Sequence, residues 1–265
     1  MSIHVTAIID KGAKIDEGVV IGPYCVIGRN VRLSKGVTLH SHVCIEGFTS
    51  IGDNTTIYPF ASIGHPPQDL KYNGENSTLK IGSNNIIREY VTIHPGTKLG
   101  EMKTTIGNNC LFMIGAHIAH DCKVGNNVIM ANNATLGGHV KIGDYAIIGG
   151  LAAIHQYVRI GDHAIIGGVS AVVEDVIPYG SAVGDRATLT GINAIGMKRK
   201  EIPNKTIHAI RKLYRMIFED TSINFEQRLN KVGTELKDFP EVIKIIDFLK
   251  SPGKRGICLP KKTKI

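Results

Sequence analysis

Aliphatic residues recur at every sixth position along most of the first 172 residues. The register runs without a gap over residues 9–63, resumes over residues 81–99, slips by one residue, and is unbroken over residues 106–172. Six residues are too few for a helix pair or a hairpin, but they suit one short strand and a turn. The pattern therefore predicts short strands coiled about a common axis, a parallel β-helix with the aliphatic side chains pointing inward.

Glycine often follows the aliphatic residue, as in Ile21-Gly22 and Ile148-Gly149. We expect these glycines to supply the backbone freedom that the corners of the coil require. The pattern resembles that of the hexapeptide-repeat superfamily, which implies a left-handed β-helix of triangular cross-section with three hexapeptides per coil. Residues 18 apart would then stack on one face, about 4.8 Å apart along the axis.

Two segments interrupt the register. Residues 64–80 carry prolines, glycines and charges in place of the repeat, which predicts a loop insertion, and one extra residue between Leu99 and Ile106 predicts a bulge or short loop. Insertions in a solenoid commonly map to its working face. A tolerated surface insertion is the alternative for both.

The period changes near residue 190. Apolar residues then follow helical spacing in three groups, within residues 207–218, 225–236 and 242–249, and Pro240 separates the last two. We expect an all-β solenoid over residues 1–190 and a C-terminal α-helical cap over residues 191–265.

Composition and charge indicate a single-core protein of 265 residues in the cytoplasm. No apolar run approaches the roughly 18 residues that span a bilayer, so we expect no membrane insertion. The five cysteines lack CxxC spacing, which favours reduced thiols over disulfides or zinc. The net charge is +8, and 17 of the 31 Lys and Arg lie from Gly196 onward. This basic segment is either a solvated helical face or a docking surface for an acidic protein, and nucleic acid is not expected.

Four of the eleven histidines gather on one edge when residues 18 apart are stacked: His117, His120, His139 and His155. Such a cluster suits zinc ligation, as in carbonic anhydrases of this fold, or general-base catalysis of acyl transfer from a thioester. Asp121 favours the base, because a neighbouring carboxylate orients the ring and stabilises the imidazolium.

Four segments carry a more specific resemblance: residues 68–72, 116–122, 131–139 and 153–156. Together they are similar to the UDP-N-acetylglucosamine O-acyltransferases that open lipid A biosynthesis, and the similarity covers nearly the whole chain. It implies transfer of a 3-hydroxyacyl group from acyl carrier protein to the 3-position of UDP-GlcNAc. It also implies a homotrimer with active sites between neighbouring coils, without a metal or redox cofactor.

The resemblance assigns roles to individual positions. His120 matches the general base, Asp121 its supporting carboxylate, and Gly138 the backbone N–H that stabilises the oxyanion. The substrate-binding positions are His117, His139 and Gln156 in the cleft, Asp69 and Lys71 gripping the sugar across a subunit boundary, His155 and Asn193 as further nucleotide-sugar or product contacts, and Arg199 near the diphosphate. Gly168 matches the position that limits acyl length.

Two other classes of protein remain open from the residues alone: a zinc-dependent γ-type carbonic anhydrase and a non-catalytic trimeric solenoid scaffold. The acyl length and the choice between a 3-hydroxyl and a 3-amino acceptor also stay open. Ile195 and Lys200 stand where relatives often carry an acidic residue and an arginine in the nucleotide site.

Overall fold

A computed structural model describes residues 1–220, 222–251 and 253–261 of the chain. Within them the hexapeptide pattern forms short parallel strands, most of them two residues long, and the segment after residue 193 is mainly helical. None of the described helices is long and apolar enough to cross a membrane.

The strands before the first long loop are β1 Ser2–Ile3, β2 Ile8–Ile9, β3 Lys14–Ile15, β4 Val20–Ile21, β5 Val26–Ile27, β6 Arg32–Leu33, β7 Thr38–Leu39, β8 Cys44–Ile45, β9 Phe48–Ile51, β10 Thr56–Ile57 and β11 Ser62–Ile63. The next are β12 Thr78–Ile81, β13 Ile86–Ile87, β14 Thr92–Ile93, β15 Lys103–Ile106, β16 Leu111–Phe112, β17 His117–Ile118, β18 Lys123–Val124 and β19 Ile129–Met130. The last are β20 Thr135–Leu136, β21 Lys141–Ile142, β22 Ile147–Ile148, β23 Ala153–Ile154, β24 Arg159–Ile160, β25 Ile165–Ile166, β26 Ala171–Val172, β27 Gly180–Val183 and β28 Thr188–Ile192.

The chain passes in turn through three sheets. Sheet 1 begins with β1, β4 and β7, sheet 2 with β2, β5 and β8, and sheet 3 with β3, β6 and β9. Each strand from β1 to β23 pairs in parallel with the strand three further along, and Ile118 lies opposite Leu136, which lies opposite Ile154. The stacking of residues 18 apart is therefore confirmed. Only the final pair in sheet 1, β27 with β28, is antiparallel among the described strands.

Two residues of each repeat point into the core. The aliphatic residues from Ile21 to Ile63 are at most 1% exposed, as the sequence pattern predicts. The residues two positions earlier, such as Val19, Cys25 and Ala61, are buried to the same degree, since alternate residues of a strand share a face. Each fully buried aliphatic side chain contributes about 1.5–3 kcal/mol relative to exposure.

The predicted role of the repeat glycines is wrong. The left-handed backbone of most corners falls on the third residue after the aliphatic one, for example Tyr24, His42 and Phe60, with φ of 58°, 59° and 65°. Glycine next to the aliphatic residue is needed for close approach instead. A Cβ at Gly52 would lie 2.5 Å from the carbonyl carbon of Gly82 in the next coil.

The helices are α1 Ala194–Arg199, α2 Asn204–Tyr214, α3 Phe225–Glu235 and α4 Pro240–Lys250, and a π-helical turn, Arg215–Glu219, extends α2. Helices α2, α3 and α4 confirm the three predicted amphipathic segments, and Pro240 begins α4 as proline can. Helix α1 was missed because six residues give no periodic signal. The division of the chain at residues 190 and 191 stays a prediction; β28 spans it, and residues 262–265 lie outside the described residues.

The five cysteines are free thiols, as predicted, and all but Cys44 are buried. Beyond α4, residues 253–259 return to the coil and form what we call the C-terminal strap. Its backbone pairs with the coil at Asp175, whose N–H donates to the Gly256 carbonyl at 2.7 Å and whose carbonyl accepts from the Cys258 N–H at 2.8 Å.

Candidate active site

His120 and Asp121 form a hydrogen-bonded pair at the corner between β17 and β18. Asp121 is the third residue after Ile118 and takes the left-handed corner conformation, φ 59°, which aspartate tolerates better than most residues. This conformation turns its carboxylate toward the preceding side chain, and Oδ2 lies 2.9 Å from Nδ1 of His120. The Asp121 side chain is buried, whereas His120 retains 12% exposure.

The loop between β14 and β15, residues 94–102, holds the Asp121 carboxylate, and we call it the slip loop. It begins before the predicted slip, and Leu99, predicted to point inward, is 68% exposed within it. The backbone N–H and the hydroxyl of Thr97 donate to Oδ2 at 3.0 and 2.7 Å, and the Glu101 N–H donates to Oδ1 at 2.9 Å. Burial alone would raise the pKa of Asp121, but the bonds from His120 and Thr97 hold that pKa below its usual range. The carboxylate is therefore ionised, and Nδ1 of His120 carries the proton that it accepts. Sequence reasoning located the slip but missed Thr97 and Glu101.

Nε2 of His120 consequently carries the lone pair that can accept a proton. The carboxylate of Asp69 lies 4.0 Å from this nitrogen, so the predicted insertion reaches the same site. The insertion ends at residue 77 and not at residue 80, because β12 begins at Thr78. The Lys71 N–H donates to Asp69 Oδ1 at 3.0 Å and fixes the loop locally. Asp69 thus approaches His120 within one protomer, and its predicted contact with the sugar across a subunit boundary stays a prediction.

Gly138 lies directly against His120. A Cβ on this residue would be 2.6 Å from both Cε1 and Nε2 of the imidazole. Among the described residues its backbone N–H has no hydrogen-bond acceptor. A free N–H beside a general base is the arrangement that stabilises an oxyanion in acyl transfer.

A column of stacked rings continues from His120 into the next coil. His139 meets His120 edge-on with ring centroids 5.0 Å apart, and Tyr157 stacks flat on His139 at 4.4 Å. Lys254 of the C-terminal strap lies with Nζ 4.0 Å from the centre of the Tyr157 ring. Burial lowers the pKa of His139, so this ring is neutral at neutral pH. A cavity of about 360 Å³ opens between the slip loop on one side and His139, Tyr157 and Lys254 on the other.

His117 faces a different neighbour, on the outer surface of sheet 2. Its Nδ1 lies 2.7 Å from the Thr92 hydroxyl, and its ring lies 5.4 Å from that of His94. Burial, with a contribution from His94, lowers the pKa of His117 to about 4. Sequence reasoning missed His94 because the loop after β14 makes β14 stack on β17 at an offset of 25 residues and not 18. Of the four predicted histidines, the structure thus brings His120 and His139 together and holds His117 apart from that ring contact.

His155 and Gln156 occupy the following coil on the same edge. The guanidinium of Arg255 in the C-terminal strap contacts both: Nη2 lies 2.8 Å from His155 Nδ1, and Nε donates to the Gln156 carbonyl at 2.9 Å. Arg255 was not singled out from the sequence. A separation of 100 residues leaves no local signal for this contact.

The zinc alternative can be tested on the donor set. Ligand atoms of His120, Asp121 and His139 lie within 4.8 Å of one another, close enough for one metal ion. A zinc ligand must offer a lone pair. Both oxygens of Asp121 already accept bonds from Thr97 and Glu101, and Oδ2 also bonds to His120. The donor set favours proton transfer over metal binding.

The predicted nucleotide residues lie elsewhere. Asn193 and Arg199 line a cavity of about 720 Å³ beside sheet 1, together with Lys200 and an apolar row of outward-facing isoleucines, Ile129, Ile147 and Ile165. The Asn193 side chain is already bonded, since it caps α1 at the Gly196 N–H (2.9 Å) and donates to the His163 carbonyl (2.8 Å). Asn193 would therefore have to contact the substrate while it keeps these two structural hydrogen bonds.

Gly168 follows β25 at the edge between sheets 1 and 2. It is not in the left-handed region, which Val169 occupies instead with φ 55°. A Cβ at Gly168 would lie 3.2 Å from the Gly150 carbonyl oxygen, a tight but not prohibitive contact. The position therefore does not need glycine for its backbone conformation.

Comparison with known proteins identifies the family. A family model described as UDP N-acetylglucosamine O-acyltransferase, domain 2, matches residues 175–258, and one for the bacterial transferase hexapeptide matches residues 103–138. A Rickettsia bellii protein named acyl-[acyl-carrier-protein]–UDP-N-acetylglucosamine O-acyltransferase is 59% identical over 263 residues, covering 99% of this chain and 93% of the relative. The chain belongs to this acyltransferase family.

Other members agree over similar lengths. The Thermodesulfovibrio yellowstonii acyltransferase of the same name is 52% identical over 97% of this chain and 98% of its own. Among solved structures, LpxA from Acinetobacter baumannii superimposes with a TM-score of 0.93 at 45% identity, covering 97% of this chain and 99% of that one. The UDP-N-acetylglucosamine O-acyltransferase (LpxA) from Moraxella catarrhalis gives 0.93 at 43% identity, covering 97% and 100%.

Proposed function

We propose that the protein transfers a (R)-3-hydroxyacyl group from acyl carrier protein to the 3-position of the glucosamine ring of UDP-GlcNAc, the first step of lipid A biosynthesis. Family membership over nearly the full length supports the substrates, because the relatives are named for them. The observation that carries the chemistry is the His120–Asp121 pair with its free Nε2 beside Gly138. Five free thiols fit the reducing cytoplasm, where we place the enzyme.

In the mechanism, Nε2 of His120 removes the proton of the acceptor hydroxyl as its oxygen attacks the thioester carbonyl carbon. The Asp121 carboxylate accepts from Nδ1–H and stabilises the imidazolium that forms. General-base catalysis of this kind is worth about 10²–10⁴ in rate. The lowered pKa values of His117 and His139 leave those rings neutral, so they do not oppose the new positive charge.

The tetrahedral intermediate carries negative charge on the former carbonyl oxygen. We assign its stabilisation to the Gly138 N–H, whose donor is not used within the protomer among the described residues. Collapse of the intermediate breaks the C–S bond, and the carrier thiolate takes the proton from His120. The products are the acylated sugar ester and the free carrier thiol, and the reaction uses no metal or redox cofactor.

The family resemblance implies the substrate contacts. Asp69 and Lys71 would bind the sugar from the loop over residues 64–77, and His117, His139 and Gln156 would line the cleft. His155 would contact the nucleotide-sugar or product. Asn193 and Arg199 would bind the nucleotide, with Arg199 near the diphosphate.

We further propose that the coil is a left-handed β-helix and that three protomers complete three active sites. His120 lies at the edge between sheets 2 and 3, whereas the Asn193 and Arg199 cavity lies beside sheet 1. In a homotrimer the edge between sheets 2 and 3 of one protomer would face sheet 1 of the next. The apolar outer face of sheet 1 at Ile129, Ile147 and Ile165 suits both burial against a partner and an acyl chain.

The test is an assay of purified protein with acyl carrier protein thioesters of different lengths and with UDP-GlcNAc or its 3-amino analogue. We expect stoichiometric thiol release and acylated nucleotide sugar, undiminished by a metal chelator. Thioester loss without acylated sugar, or no reaction with either acceptor at any chain length, would reject the proposed function.

A further inference from the structure

The C-terminal strap is fixed to the coil independently of the Arg255 side chain. Besides its two bonds with Asp175, the Leu189 N–H donates to the Leu259 carbonyl at 3.1 Å. The fully buried Asp175 carboxylate also accepts from Arg159 Nε at 2.6 Å. These contacts hold the strap beside the His155 corner, so the backbone that carries Arg255 is fixed in place.

The guanidinium determines which nitrogen of His155 carries a proton. Arginine has only donors, so His155 Nδ1, 2.8 Å from Arg255 Nη2, must be the unprotonated acceptor. The neutral ring then has its hydrogen on Nε2. This nitrogen has no hydrogen-bond partner within the part of the chain that the structure describes, and the His155 side chain is exposed.

The alternative tautomer has its own partner close at hand. The Gln156 carbonyl oxygen lies 3.3 Å from His155 Nδ1, within reach of an Nδ1–H donor. Arg255 occupies both of these acceptors at once, because its Nε donates to that same carbonyl at 2.9 Å. With the guanidinium present, an Nδ1–H would meet another donor; without it, Nδ1–H can bond to Gln156.

We propose that Arg255 is a positioning residue that selects the Nε2–H tautomer of His155 and so makes the ring a hydrogen-bond donor to an oxygen of the nucleotide sugar. The identity of that ligand rests on the proposed function; the tautomer selection does not. His155 thereby differs from His120, whose Nδ1–H donates to Asp121 and whose Nε2 accepts. Nε2 therefore accepts a hydrogen bond in His120, where Nδ1 faces a carboxylate, and donates one in His155, where Nδ1 faces a guanidinium.

The first experiment reads the tautomer directly. Long-range 1H–15N correlation spectra of ¹⁵N-histidine-labelled protein distinguish the two tautomers, and the His155→Gln spectrum assigns the signal. We expect a single Nε2–H form in the wild type and a populated Nδ1–H form in Arg255→Ala. An Nδ1–H form in the wild type, or the same tautomer in both proteins, would overturn the proposal whatever the enzyme acylates.

The second experiment is a double-mutant cycle on the KM for UDP-GlcNAc. Arg255→Ala should raise KM about tenfold, the loss expected when a hydrogen bond to a charged group is removed, with a smaller effect on kcat. In a His155→Ala background the same substitution should change KM by no more than about twofold, because Arg255 acts through His155 and coupled residues do not have additive effects. An equal effect in both backgrounds, or no effect in either, would contradict the assignment.

Two further variants separate positioning from folding and from net charge. Arg255→Lys keeps a donor but loses the two-pronged geometry, so it should restore KM only in part. Lys250→Gln removes a charge from the exposed end of α4 and should leave KM unchanged. If wild-type protein transfers no acyl group, the proposed function fails, while the spectra still decide the tautomer.

Discussion

Gly138 lies so close to His120 that a methyl group at residue 138 would come within 2.6 Å of Nε2. The residue is not in the left-handed region of backbone space, so glycine is not required there for its φ. Glycine at this position leaves open the volume in front of Nε2, the nitrogen that we propose accepts the proton. The same close approach supports the proposed role of the Gly138 N–H in stabilising the oxyanion.

Gly138→Ala should therefore lower kcat/KM by at least about 100-fold, because the methyl group occupies the position of the attacking hydroxyl. The Gly22→Ala variant is the matched control, since its Cβ would lie 2.9 Å from the His40 carbonyl carbon at a site remote from His120. Steady-state assays and thermal unfolding of both variants check this. Equal activity losses in the two variants would indicate general overpacking.

His120→Ala should leave the fold intact, since the side chain lies at the edge of the coil and outside the aliphatic core. Turnover should fall by about 10²–10⁴, the usual cost of losing a general base. Circular dichroism and single-turnover acyl transfer measure the two properties. A folded variant with near wild-type turnover would eliminate the mechanism.

The hexapeptide register predicted most of the strands, the inward residues and the 18-residue stacking, because each depends on a short periodic pattern. It was wrong at Leu99, which is 68% exposed in the loop between β14 and β15. The contacts that complete the site come from segments far apart in sequence. Thr97 precedes Asp121 by 24 residues and Arg255 follows His155 by 100, so no local pattern marks either pair. Their positions depend on how the slip loop and the C-terminal strap pack on the coil.

The glycines show a different limit. Both a positive φ and a close approach select glycine, and the sequence alone does not separate the two causes. At Gly52 the next coil excludes a side chain, whereas the left-handed turn falls on Asn54. The ladder of backbone contacts between coils must be known before the cause can be assigned.

His117 should make the protein less stable in acid. Its pKa is about 4 in the folded state against an ordinary value of 6.5, so the unfolded chain binds the proton first. The full pKa difference corresponds to about 3 kcal/mol, and the partial exposure of the ring reduces it. Stability should therefore fall by about 2 kcal/mol as the pH drops from about 6.5 to 4 and then level off. Urea unfolding of the wild type and His117→Gln across this range tests it. Parallel pH profiles for the two proteins would contradict the assignment.

Basic residues of α2 offer a test of carrier-protein docking. Lys205 and Arg211 are exposed, and neither forms an ion pair within the described residues. If this segment docks the acidic carrier, Lys205→Glu and Arg211→Glu should raise KM for the carrier thioester several-fold, by roughly 0.5–1 kcal/mol each. Added salt should reduce the difference. Lys11→Glu, at the opposite end of the coil, is the control, and an equal effect there would indicate nonspecific attraction.

A side chain at residue 168 would test whether the acyl chain passes this position. Because its backbone conformation suits other residues, a side chain there meets only the tight 3.2 Å contact with the Gly150 carbonyl. If this position limits acyl length, the wild type should prefer chains of about C12–C14 over C10, since each buried methylene contributes about 0.8 kcal/mol. Gly168→Met should shift the preference toward shorter chains and keep the short-chain rate high. Competition between thioesters of different length measures the ratio of kcat/KM values, and an unchanged ratio in a stable variant would show that the acyl chain does not pass residue 168.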